Sequence, residues 1–176
     1  MKKFFVPFIL LGAIIIQACE GPIGREGPMG PEGPPGVSVE ADIFEIEATF
    51  AAATDWSVIG EYDDFGGLFL SSDKLLIYHL WEQGDADVWR MLPQTIFMQQ
   101  GIFQYNYDFT DLDFQIFLEG NFDLNTLEPV WTDNQIFRLV ILPTVPTNFR
   151  IDYSNYEEVV KHFNLDEDNI KRVTLK

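Results

Sequence analysis

The sequence predicts a mainly β fold: an antiparallel β-sandwich, immunoglobulin-like or jelly-roll-like, with one C-terminal helix. Three observations carry this. Hydrophobicity alternates with a period of two through most of residues 38–176, turn-forming residues interrupt the alternating runs, and only one late segment carries a helical stripe. A closed barrel is the alternative arrangement of the same strands.

The elements follow in chain order. Phe44, Ile46, Ala48 and Phe50 alternate with Glu45, Glu47 and Thr49, which reads as a strand with one wet face. Residues 74–82 (KLLIYHLWE) are nearly all apolar, as in a strand covered on both sides. Gly84-Asp85-Ala86-Asp87 turns the chain into residues 88–92, and residues 95–99 follow after a break at Pro93. Phe103, Tyr105, Tyr107 and Phe109 form one face of a strand. After a turn near Thr110-Asp111, Leu112, Phe114, Ile116 and Leu118 answer it, which predicts a hairpin. Residues 136–142 form a further strand closed by Pro143 and Pro146, and residues 170–175 form a last one. Between these two, Ser154-Asn155-Tyr156-Glu157 has the capping-box spacing, with Ser154 as the cap. Tyr156, Val159, Val160 and Phe163 then repeat at helical intervals.

Residues 38–176 have a natural length for one domain, long enough to bury ~68% of the unfolded surface. Sixteen phenylalanines exclude a disordered chain. The formal charge is −17, and without Lys2 and Lys3 only 9 of the 11 bases remain against 28 acids, a formal −19. Phosphate recognition needs the opposite sign, so nucleic acid is excluded as a partner.

The first 37 residues are organised differently. Met1-Lys2-Lys3 is a basic start, and residues 4–16 form an uncharged, mostly apolar run. A spanning helix needs ~20 such residues, so residues 1–18 read as a cleaved export signal. It ends at Ala18-Cys19, and Cys19 is the only cysteine, which excludes an intramolecular disulfide. Within residues 19–37, glycine then recurs at every third position, Gly21, Gly24, Gly27, Gly30, Gly33 and Gly36, with proline at 22, 28, 31, 34 and 35. Only glycine fits the axis where three polyproline II strands meet. The tract reads as a semi-rigid spacer of roughly 50 Å, at ~3.1 Å per residue, with a triple-helical stalk as the alternative.

Residues 17–19 resemble the lipobox of bacterial lipoproteins, and the glycine tract resembles the Gly-X-Y segments of small bacterial collagen-like lipoproteins. The resemblance is specific over residues 1–36 and general beyond. It implies a diacylglycerol on the Cys19 thiol, acylation (palmitate) of the new amino group, and a membrane anchor in the cell envelope, at the outer membrane or cell surface. It implies no activity. Two or three acyl chains hold far more firmly than one, since each buried CH₂ contributes ~0.8 kcal/mol.

Groups for catalysis are few. His79 sits in the most apolar strand and reads as a buried, hydrogen-bonded side chain, and His162 lies on the late helix. The sequence contains no Gly-x-Ser-x-Gly elbow, phosphate-binding loop or His-Glu-x-x-His motif. With two histidines and one cysteine, zinc is not expected, and neither is any cofactor. Asp108, Asp111 and Asp113, at a predicted turn, are the weak candidate for calcium. Trp56, Trp89 and Trp131, near strand ends or loops, are candidate ligand-binding rings, with core packing as the simpler account. These readings predict a non-catalytic, lipid-anchored binding or structural module with a protein or glycan partner, homotrimeric if the stalk assembles. A lipid-anchored glycan hydrolase using a carboxylate pair is the alternative.

Overall fold

A computed structural model describes residues 41–66, 69–144 and 150–175, all within the compact unit Ser38–Lys176. The expected export signal, Cys19 and the Gly-X-Y glycines lie outside the described residues. The protein is mainly β, and the described residues form nine strands and two α-helices in the order β1 (Asp42–Ala48), β2 (Ser57–Glu61), α1 (Tyr62–Phe65), β3 (Lys74–Glu82), β4 (Val88–Met91), β5 (Gln94–Met98), β6 (Gly101–Phe109), β7 (Asp113–Gly120), β8 (Gln135–Leu142), α2 (Tyr156–Phe163) and β9 (Lys171–Leu175).

Two sheets form, in the orders β4-β3-β8-β1-β9 and β2-β7-β6-β5. Alternation aims every second side chain of each sheet at the other. Phe44, Ile46, Ile77, Phe137 and Leu139 from the first sheet meet Val58, Phe103, Tyr105, Phe114 and Ile116 from the second in one core, as a β-sandwich requires. With no disulfide, rings fill this space: Tyr105 touches Phe50, Phe103 and Phe137. The chain passes between sheets at Leu92-Pro93, where Leu92 is buried and its N–H donates to the Ile77 carbonyl at 2.9 Å.

The first sheet is also covered on its outer face. Leu76, Tyr78, Val140 and Leu142 pack there against Tyr156 and Val159 of α2. This two-sided burial explains the unbroken apolar run of β3. It also places Glu45 in a layer rather than in water. Glu45 is only 5% exposed, which corrects the wet face expected of β1. Its cross-strand neighbours are Arg138 on β8 and Arg172 on β9. Arg138 Nε donates to Glu45 Oε2 at 3.1 Å, and Arg172 bonds the other carboxylate oxygen. The Arg138 guanidinium also donates to the Tyr156 hydroxyl at 2.6 Å and pairs with Glu167 at 2.5 Å, and the same Tyr156 hydroxyl donates to Glu167 at 2.7 Å.

Three further details depart from the sequence expectation. β9 joins β1 in parallel, so the first sheet is mixed rather than antiparallel. β2 was not expected: it is five residues long and includes Gly60, where an added Cβ would lie 2.5 Å from the Phe114 ring. The α2 cap is Asn155, whose side chain accepts from the Glu158 N–H, while the Ser154 hydroxyl bonds Asp152. The stripe Tyr156, Val159, Val160 and Phe163 packs on the second cluster as expected.

Removing one partner of a buried ion pair strands the other. Arg138→Ala is therefore expected to destabilise the protein by about 3 kcal/mol or more. Arg172→Ala, at a half-exposed side chain, should cost less than about 1 kcal/mol. Urea unfolding of the two variants against wild type checks the contrast.

Candidate ligand-binding site

His79 begins the site. It lies on the inner face of β3, 3% exposed, stacked on Phe137 at 4.8 Å and against Tyr105 at 4.6 Å. Its Nε2 lies 3.0 Å from Gln135 Oε1 on β8. Gln135 Nε2 already donates to the carbonyls of Val130 and Asp133, at 3.0 and 2.7 Å. The Gln135 oxygen therefore accepts, and His79 carries its proton on Nε2. Its Nδ1 is buried with no hydrogen-bond partner among the described residues. Burial first, then the nearby Arg90 charge, outweighs the Gln135 hydrogen bond and lowers its pKa from 6.5 to about 4. His79 is thus a neutral structural group, as its place in an apolar strand implied.

This network fixes the turn that presents Trp131. The short 3-10 turn Pro129–Trp131 is tied down by Gln135 through the Val130 carbonyl. The Tyr105 hydroxyl donates to the Trp131 carbonyl at 2.5 Å. Burial raises the Tyr105 pKa, keeping that hydroxyl a neutral donor. Trp131 then packs on Phe103 at 5.6 Å and on Trp81 at 5.9 Å. Trp81 sits at the end of β3, where the register with β4 shifts between Leu80 and Glu82. The guanidinium of Arg90, on β4, lies 3.8 Å from the centre of the Trp81 ring.

Two open clefts meet at this tryptophan pair. One, of about 420 Å³, is lined by residues including His79, Trp81, Gln83, Trp131 and Asn134. The other, of about 660 Å³, adds Arg90, Thr95, Phe97, Gln99 and Gln100. Among the described residues, no Asp or Glu lines either cleft. Elsewhere a depression at the β6–β7 turn is lined by Glu61, Asp63, Asp111 and Asp113, and another by Asp42 and Asp166.

The candidate residues read from the sequence are not brought together. Trp131 reaches the clefts. Trp56 packs against the main core, and its carbonyl accepts from the Leu118 N–H. Trp89 belongs to the second cluster, with Arg138 4.2 Å from its ring centre and Tyr156 beside it. Both serve packing. The Phe103–Phe109 face likewise turns Phe103 and Tyr105 into the core. Among the described residues no three His, Cys, Asp or Glu side chains are placed to hold a metal ion. Asp108, Asp111 and Asp113 lie at the turn, where the Asp113 carboxylate accepts from the Thr110 hydroxyl at 2.6 Å.

Sequence reasoning missed Trp81 and Arg90. Trp81 falls inside an apolar run, and Arg90 is one charged residue in a short strand. Their contact depends on the β3–β4 register. Comparison with protein-family models, curated proteins and solved structures finds no match to this chain.

The unfolded chain takes a proton that folded His79 refuses. The stability contributed by the neutral ring is intact above pH 6.5 and is lost as pH falls toward about 4. That gap corresponds to about 3 kcal/mol. A ¹H NMR titration should place the His79 ring near pH 4. Urea unfolding at pH 7 and pH 4 should show wild type losing about 3 kcal/mol more than His79→Gln.

Proposed function

We infer that this protein is a non-catalytic lipoprotein, anchored in a bacterial envelope through Cys19, whose β-rich head binds a protein or glycan partner. The anchor reading is supported by the export-signal pattern of residues 1–18 and by Cys19 at its end. The tract from Gly21 to Gly36 holds the head away from the membrane, as a spacer or as the stalk of a homotrimer. Outer membrane or cell surface is the location this implies.

The binding reading rests on one observation above the rest. A tryptophan pair, an arginine and several amide side chains converge on adjoining clefts, a combination of flat apolar surface and a few placed polar groups that suits ligand recognition. Glycosidic cleavage uses two carboxyl groups across the bond, and among the described residues none lines these clefts. That favours binding over hydrolysis at this site.

In a bacterial host, the wild-type chain is expected to incorporate radiolabelled palmitate and to fractionate with membranes. Cys19→Ser should lose both the label and the membrane association. Membrane retention of unlabelled Cys19→Ser protein would overturn the anchor.

A further inference from the structure

We propose that the clefts at Trp81 and Trp131 bind an acidic polysaccharide, holding the anionic group of a sugar ring on Arg90 and its apolar face on Phe97. The inference rests on the binding-head reading above and names the ligand class.

The chain is formally −17, so an anionic polymer is repelled over most of its surface. At physiological salt charges are screened beyond about 8 Å, and what a ligand meets at close range is the lining of the site. Among the described residues that lining contains no carboxylate and one guanidinium. Arg90 has no ion pair among the described residues, where Arg138 and Arg172 both pair with Glu45. Its cross-strand neighbour His79 is neutral. A guanidinium seated over an indole, with no ion-pair partner, has N–H groups to offer a carboxylate or sulfate, and its weak hydration makes the exchange inexpensive.

Shape supplies the second argument. Phe97 lies on β5, at the edge of its sheet, is 78% exposed, and lines the same cleft as Arg90. Leaving so large a ring in water contributes nothing to the core. Thr95, Gln99, Gln100, Gln83 and Asn134 surround the two clefts with uncharged donors and acceptors, which suits the hydroxyls of a sugar chain. The clefts are open and adjoin at Trp81 and Trp131, so a linear polymer can cross from one to the other.

The test uses the full-length chain in mild detergent, with tryptophan fluorescence and calorimetry as readouts. The probes are an oligogalacturonate, a sulfated heparin oligosaccharide and a neutral maltooligosaccharide of matched length. One or both acidic probes are expected to bind, the responding probe identifying carboxylate or sulfate as the anion. The neutral probe should bind at least about tenfold more weakly. Arg90→Gln and Phe97→Ala should each weaken the acidic probe by about tenfold or more, the loss of one charge-assisted contact or one stacked ring. Leu112→Ala, an exposed apolar residue at the acid-lined depression, should bind as wild type does. Because Arg90 and Phe97 are not core residues, their variants should keep the wild-type circular dichroism. Undiminished binding by Arg90→Gln overturns the proposal, as does failure of both acidic probes. Equal or tighter binding of the neutral probe also overturns it, while leaving the binding-head reading standing.

Discussion

Arg138 stands on the central strand β8, on the face turned away from the second sheet, and three separate parts of the chain close on it. Glu45 comes from β1, Glu167 from the segment after α2, and Tyr156 from α2 itself, while the Trp89 ring of β4 lies against the guanidinium. A charge in that position costs several kcal/mol unless it is compensated. The compensating groups are therefore drawn to one point, and each brings its own element. α2 covers the sheet, and Arg172 on β9 takes the remaining carboxylate oxygen of Glu45 beside β1. The outer layer is organised around this charge as much as around its apolar contacts.

The inner layer meets the opposite problem. Its space is filled by rings, and the polar groups within it must satisfy one another. His79 bonds the Gln135 side chain, and Gln135 and Tyr105 reach the backbone carbonyls of Val130, Trp131 and Asp133. The hydrogen bonds that make a buried amide and phenol tolerable also fix the turn that carries Trp131. Stability of the core and presentation of the cleft thus share one network. The unpartnered Nδ1 of His79 is its remaining cost.

Charge then separates the surface into two kinds. Acidic depressions lie at the β6–β7 turn and beside α2, and the tryptophan clefts at the β4–β5 end have no acid among their described lining residues. A strongly acidic chain resists nonspecific association. A local break in that shell is where a selective contact has room to form.

Alternation along the chain by itself determined β1 and the β6–β7 hairpin, apolar runs bounded by turn residues determined β3 and β8, and the repeat of Tyr156, Val159, Val160 and Phe163 determined α2. These are local patterns, set by where successive side chains point from one backbone. The buried state of His79 was legible for the same reason, from the apolar run that contains it. Which strand lies beside which was not, because period-two alternation carries no address. Only the tertiary structure decided that Glu45 is covered, that β9 runs parallel to β1, and that Arg90 rests on Trp81 next to Trp131. Each of these depends on register between strands far apart in sequence, and on the desolvation of charge that such neighbours alone can offset.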